Sequence, residues 1–175
     1  MLGVTGSIAA YKAAELVRMI QREGWDVSVV MTSCASEFVS PLTFQTLSRN
    51  AVGTGLFDEK DGWHPEHISY ADRADVVLIA PCTANVMAKV AHGLADDLLT
   101  CTVLATRAPV VIAPAMNDAM WENAATRANM ALLRSRGVTM VDVGTGDLAC
   151  GREGQGRLAD LDKIIESVRV ILRKH

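Results

Sequence analysis

Residues 75–93, "DVVLIAPCTANVMAKVAHG", decide the fold. Asp75–Pro81 is a near-continuous apolar run, of the kind a strand shows when it is buried on both faces of a parallel sheet. Pro81 ends the run, Thr83 and Asn85 bracket a new start, and the spacing turns helical as far as Gly93. A buried strand, a short polar turn and a helix stopped by glycine make up one step of an alternating α/β chain.

The same step recurs on both sides. Upstream, "LGVT" (Leu2–Thr5) reads as a short strand. "IAAYKAAELVRMIQRE" reads as a helix with Ala10, Ala14, Leu16 and Val17 on one side, Lys12, Arg18 and Arg22 toward water, and Gly24 as its stop. "DVSVVMT" (Asp26–Thr32) is a second strand, and Pro41 can open a short helix through "LTFQTLS". Residues 50–63 are polar and turn-rich, a strand fragment plus a loop, and "HISYADRA" is a short helix. Downstream, "DDLLTCTVLATR" is a helix opened by two acids, which suit its N-terminus. "PVVIAP" is a strand, "DAMWENAATRANMALLRSRG" one long helix stopped by Gly137, and "VTMVDV" the last strand. A glycine-rich segment and an amphipathic helix, "LADLDKIIESVRVILRKH", close the chain. Strands alternating with helices predict an α/β fold: a single-domain, three-layer parallel sheet with helices on both faces, flavodoxin/Rossmann-like, over residues 1–175. Ligands of such folds sit at the carboxyl ends of the strands, near the switch point of the strand order.

Composition narrows the function classes. Half of the 175 residues are hydrophobic, yet no apolar run is long enough to span a bilayer, and no export signal is evident. A formal charge of −3 without a block of either sign, with 5% aromatics, argues against a nucleic-acid surface. Cys34, Cys82, Cys101 and Cys150 are scattered and form no C-x-x-C pair, which predicts reduced thiols and a cytoplasmic protein. Cys82 and Cys101 lie among apolar residues and read as core.

Four turns fall at the ends of strands. In "GVTGSIAAYK", glycine and serine precede a helix and offer N–H groups and a hydroxyl to a phosphate. The dinucleotide fingerprint G-x-G-x-x-G and the P-loop G-x-x-x-x-G-K-[ST] are both absent, so a mononucleotide-type phosphate fits better than a pyrophosphate, and a plain turn stands beside it. In "APCTANVMAK", Thr83 is either an N-cap or a ligand group. In "PAMNDAMW", Asn117 is either a helix cap or a reader of substrate. "GTGDLACGREGQGR" holds five glycines in fourteen residues and reads as a loop, either a link or a lid, with Cys150 as a thiol on it or as an incidental cysteine. His64 and His67 in "HPEH" have metal-like spacing, but Pro65 disfavours helix at His64 and no third ligand is near, so no metal is expected. His67 can move protons near neutral pH or be an ordinary half-exposed histidine. A cysteine–histidine hydrolase built from Cys150 and His67 would need a rigidly held thiol, which a glycine-rich segment does not offer.

Together, "GVTGSIAAYK", "VVMT", "PLTFQTLS", His67–Ile68, "APCTANVMAKVAHGLADDLL", "APAMNDAMW" and "ACGREGQGR" run along nearly the whole chain in an order that resembles the homo-oligomeric flavin-containing cysteine decarboxylases. The resemblance implies FMN, held by Gly6, Ser7 and Ile8 at its phosphate end. Thr32 would lie beside it, Thr83, Ala84, Asn85 and Val86 would meet it from the next turn, and Ala115 would lie near the ring. It implies that Asn117 binds the substrate carboxylate, that His67 serves the oxidative half of the reaction and that Cys150 serves the reductive half. The substrate implied is 4′-phosphopantothenoylcysteine of coenzyme A biosynthesis, turned over by a homotrimer or an assembly of trimers, with no nucleic-acid or membrane partner. Many bacterial relatives carry a further C-terminal ligase domain, and none is expected within these 175 residues.

The chemistry explains why such residues are needed. Decarboxylation of a cysteine-derived acid leaves a carbanion at Cα with no electron sink. Oxidation of the neighbouring thiol-bearing carbon creates a C=S group beta to the carboxylate, and loss of CO2 then gives a delocalised enethiolate that reduction returns to the thiol. Alternative readings are an oxidative decarboxylase of C-terminal peptide cysteines, which stops at the enethiol and has no need of Cys150, and a flavin-binding regulatory subunit of a phosphatase. A flavin prenyltransferase fits "PAMNDAMW" poorly.

Overall fold

The computed structural model describes residues 1–57, 65–147, 151 and 153–174. Six strands form one parallel sheet: β1 (Leu2–Val4), β2 (Val29–Met31), β3 (Val52–Gly53), β4 (Val77–Cys82), β5 (Val110–Pro114) and β6 (Thr139–Met140). Their order is β3-β2-β1-β4-β5-β6. The order reverses between β1 and β4, so a crevice opens there at the carboxyl ends, as the sequence reading requires.

Strand alternation sorts side chains to two cores. Leu2, Val4, Val29, Met31, Leu78, Ala80, Val111 and Ala113 point to one face, against α1 (Ala10–Arg22), α3 (Pro41–Ser48) and α9 (Leu161–Leu172). Val30, Val77, Ile79 and Ile112 point to the other, against α4 (Glu66–Arg73), α5 (Ala84–His92), α6 (Leu98–Ala105) and α8 (Ala124–Ser135). Alternation puts Gly3 on this second face, where Leu99 of α6 packs on it so closely that a Cβ would stand 2.5 Å from Leu99 Cδ1. The result is the three-layer arrangement expected. No helix among the described residues is long and apolar enough to cross a membrane.

The helix ends follow local chemistry. Ser40 caps α3 ahead of Pro41, and Gly24 and Gly93 take left-handed conformations after α1 and α5. Asp97, the second of the two acids, caps α6 through a reciprocal pair with Thr100. Lys89 of α5 bridges Asp96 at 2.6 Å and Asp97 at 3.3 Å, so the end of one helix is tied to the start of the next.

Several expectations are corrected. The segment after β5 is not one helix but two, α7 (Asp118–Glu122) and α8, because Asn123 turns extended and its Oδ1 accepts from Ala125 N. A short helix, α2 (Ser33–Ser36), follows β2 under a Thr32 cap. The last helix begins at Leu161, since Leu158 and Ala159 are buried in an extended approach to it. The glycine-rich segment is not simply a loop: Gly144–Asp147 (β7) and Glu153–Arg157 (β8) pair as an antiparallel hairpin. Gly146 and Gly156, at φ 142° and 119°, take backbone conformations closed to other residues, and the ladder bonds offset the entropy that glycine loses. Cys101 is half-buried rather than core, while Cys82 is fully buried.

Candidate active site

The tips of four strands are laced together by hydrogen bonds. Thr32 N donates to Val4 O (3.1 Å), joining β2 to β1, and Ala115 N donates to Cys82 O (2.9 Å), joining β5 to β4. Between β1 and β4 the regular ladder stops at Gly3–Ile79, and the register on the other side of β4 shifts between Ile79 and Cys82, around a cis Ala80–Pro81 bond. Here Thr5 takes over. Its hydroxyl is fully buried, donates to Pro81 O at 2.7 Å and accepts from Thr83 N at 3.0 Å.

This lacing places the residues singled out from the sequence. Gly6, Ser7 and Ile8 form the turn from β1 into α1, with Ser7 Oγ accepting from Ala9 N at 3.3 Å. Among the described residues, the N–H groups of Gly6 and Ile8 donate to no protein acceptor. Two open donors at the start of a thirteen-residue helix suit an anion. Thr32 stands next to this turn, capping α2, whose residue Cys34 backs directly onto Gly6. A Cβ on Gly6 would collide with Cys34 Cβ and stand 3.0 Å from the Cys34 carbonyl group, so the turn is shaped for glycine. Across the switch point, Thr83 caps α5 through Val86 N, Ala84 and Asn85 occupy the first turn, and Val86 is buried behind them. Ala115 is buried at the tip of β5. A cradle of small residues on both sides of the crevice, with open donors at the start of α1, fits a phosphate-bearing planar cofactor.

Asn117 caps α7, its Oδ1 accepting from Ala119 N at 2.9 Å, so the cap reading holds geometrically while the residue stays at the crevice rim, half-buried. The hairpin leans on this rim. Met116 N donates to Gly156 O at 2.9 Å, and a Cβ on Gly156 would overlap Met116 O. Arg157 lies at the hairpin base, close enough to α1 that, after burial, its charge is the next cause lowering the pKa of Lys12, against a smaller opposing effect of Asp160.

His67 is the second residue of α4. Its helix, α4, sets Tyr70 against Gly53 of β3 and lines a cavity of about 220 Å³ with Ser28, Asn50 and Ala51, at the amino-terminal ends of β2 and β3. Four strand spacings, roughly 19 Å, separate β3 from β5. His67 makes no hydrogen bond or ion pair among the described residues. The strand tips of one chain gather the cradle and Asn117, while His67 lies on α4, which packs over β3 at the edge of the sheet. Cys150 and His64 lie outside the described residues. Among those described, no group of three or more His, Cys, Asp or Glu is arranged for a metal. Burial raises the pKa of Cys82, leaving it a protonated core thiol.

Sequence reasoning missed Thr5. Its significance depends on Pro81, 76 residues away, and only a short polar residue ending an apolar strand hinted at it.

Comparisons with known proteins show relatives with the same fold. The chain is 45% identical over 170 residues to a probable phosphopantothenoylcysteine decarboxylase of Streptococcus mutans, covering 96% of this chain and 95% of that protein. It is 46% identical over 166 residues to the coenzyme A biosynthesis bifunctional protein CoaBC of Bacillus subtilis, covering 95% of this chain but spanning only 41% of that relative's length. Among solved structures, a mutant PPC decarboxylase complexed with pantothenoylaminoethenethiol matches with a TM-score of 0.88 and 33% identity, over 98% of this chain and 96% of that one. The FMN binding protein AtHal3 matches with a TM-score of 0.84 and 33% identity, over 99% and 96%. A family model described as Flavoprotein matches residues 1–173, and the chain belongs to the Flavoprotein family.

Proposed function

We propose that this chain is an FMN-dependent phosphopantothenoylcysteine decarboxylase, converting 4′-phosphopantothenoylcysteine to 4′-phosphopantetheine. The observation that carries the reading is the crevice between β1 and β4, where Gly6–Ile8, Thr32, Thr83–Val86 and Ala115 converge with Asn117 at the rim, in a chain similar to such decarboxylases over nearly all its length.

The residues fit the cofactor. Gly6, Ser7 and Ile8 would hold the phosphate through open N–H groups at the start of α1. Thr32, Thr83, Ala84, Asn85 and Val86 would flank the rest, and Ala115, lacking bulk, would leave room for the ring. When bound, FMN supplies a two-electron sink and source next to the sulfur-bearing carbon. The protein supplies position and protons. Asn117 offers its amide to the substrate carboxylate and fixes the plane in which the C–CO2 bond breaks. The imidazole of His67 serves proton movement in the oxidative half, and the thiol of Cys150 gives a proton in the reductive half.

In this reading the chains assemble as a homotrimer, or as an assembly of trimers. Residues 1–175 act in this reading as a single flavoprotein decarboxylase domain, in the cytoplasm, where its thiols stay reduced.

The test is to load purified protein with FMN and offer it 4′-phosphopantothenoylcysteine beside a peptide ending in cysteine. Loss of one CO2 from the former, with a saturated thiol as product, is the expected result. Turnover of the peptide alone to an enethiol would replace this reading with that of a peptide oxidative decarboxylase. A protein that takes up no FMN would end it.

A further inference from the structure

We propose that the Thr5 hydroxyl is the positioning group that holds the two cofactor-binding turns, Gly6–Ile8 and Thr83–Val86, at the separation FMN requires before FMN arrives. The proposal rests on the functional reading above and adds to it a residue that contacts no ligand.

A proline, Pro81, stands in the central strand β4. Pro81 has no N–H, so at this point β4 cannot donate to β1 as a parallel ladder demands. The backbone pairing between the two strands ends at Gly3–Ile79. Beyond it, among the described residues, Thr5 joins them. Pro81 O receives Thr5 N at 3.3 Å and the Thr5 hydroxyl at 2.7 Å, so the side chain makes the shorter bond. Thr83 N donates to the same hydroxyl at 3.0 Å. One oxygen thus replaces the missing rungs as both donor and acceptor.

Its position gives those bonds their consequence. Thr5 directly precedes Gly6, and Thr83 is the cap of α5, so each end of the bridge is the first residue of a turn meant to hold the cofactor. Thr5 is fully buried, and its β-branch restricts χ1, so the bridge has a single geometry. Without it, Pro81 O would keep only its longer bond and Thr83 N would lose its bond to the Thr5 hydroxyl, in the buried floor of the crevice. The two turns would then be free to adjust separately, and FMN would have to order them on binding.

The experiment titrates FMN into apo-protein by flavin fluorescence quenching and follows urea unfolding for each variant. Thr5→Val, of the same shape without the hydroxyl, is expected to raise the Kd for FMN at least tenfold. Thr5→Ser, which keeps the hydroxyl, is expected to stay within about threefold of wild type. Thr102→Val serves as control: Thr102 is also fully buried and donates to Leu98 O at 2.7 Å, but far from the crevice in α6. It should lower the urea midpoint and leave the Kd unchanged. A Thr5→Val protein that binds FMN as wild type does overturns the proposal while leaving the functional reading intact, and so does a Thr5→Ser protein as weak as Thr5→Val. Should Thr5→Val fail to fold, amide exchange in the wild-type apo-protein decides: a Thr83 N–H protected like its strand neighbours supports the bridge, and one exchanging at an unstructured rate overturns it. A wild type that binds no FMN would instead remove the functional reading itself.

Discussion

Gly156→Ala separates the rim of the site from its cradle. Gly156 sits at φ 119°, which an alanine reaches only with strain on the order of 1–3 kcal/mol. The added Cβ would overlap Met116 O, a backbone atom that cannot swing away, and would lie 3.4 Å from Met116 C and Asn117 O. Relief requires a shift of close to 1 Å by the hairpin or by the Met116–Asn117 connector. Either movement disturbs the 2.9 Å bond from Met116 N to Gly156 O, which holds Asn117 in place. A displacement of about 1 Å at a positioning residue costs up to roughly 100-fold in rate. The expected outcome is a 30- to 100-fold fall in kcat/KM, about, with the Kd for FMN within twofold of wild type, because the cradle is tied by Thr5, Thr32 and Thr83 and not by the hairpin. The Tm should fall by roughly 2–4 °C for each kcal/mol of strain. Steady-state kinetics, flavin titration and a thermal scan on one preparation provide all three numbers. A variant with wild-type kcat/KM would show that the hairpin does not set Asn117, and one that loses FMN in step with activity would show that rim and cradle are not separate.

Gly6→Ala should weaken FMN binding by at least about tenfold, since its Cβ would run into Cys34 and reshape the phosphate turn; unchanged quenching titrations would refute the cradle. Cys150→Ser should still release CO2 but accumulate an enethiol-type product, with saturated thiol down by at least about 100-fold, as product mass spectrometry would reveal. His67→Asn should bind FMN with its normal spectrum and lose turnover by a similar factor; a fully active variant would remove His67 from the mechanism. For Cys82 the sign is set by burial, which raises its pKa, so almost no thiolate exists at pH 8 and brief maleimide treatment of native protein should label exposed Cys34 and spare Cys82. Labelling of Cys82 at a comparable rate, seen by peptide mapping, would contradict its place in the core.

What could be read from the sequence was whatever repeats with a period. Val77–Cys82 and Val110–Pro114 announce themselves as apolar runs because both faces of the sheet are covered, and α1 shows its stripe because only one face of it is buried. The break at Asn123 hid inside a helical pattern, since an asparagine within helix and an asparagine capping a new one look alike until its Oδ1 is seen to take Ala125 N. The hairpin hid for the opposite reason. Glycines erase the side-chain alternation that marks a strand, so β7 and β8 exist through backbone pairing and through the contact of Gly156 with Met116, neither of which leaves a pattern. At the site, turns next to strand ends could be found by position alone, whereas where α4 and its His67 sit depends on how the helix packs over β3, a tertiary fact.

Thr5 shows most clearly where such reading stops, and why. A ladder bond is implied by any two neighbouring strands, but a missing one is implied by nothing until Pro81 is known to face β1. The need then arises at a position 76 residues from the residue that meets it, and it is met by an atom that elsewhere would count as a stray hydroxyl in an apolar strand. The same proline that marks the end of the strand in the sequence thereby creates the gap in the sheet where a cofactor can enter, and the crevice stays a single shape because one buried oxygen spans it. On the proposed function, cofactor affinity would depend on Thr5 and the cradle, and carboxylate placement on the Gly156–Met116 contact. Substitutions at the two places should multiply rather than interfere: a Thr5→Val, Gly156→Ala double variant should show the FMN defect of the first and the kcat/KM defect of the second with little coupling.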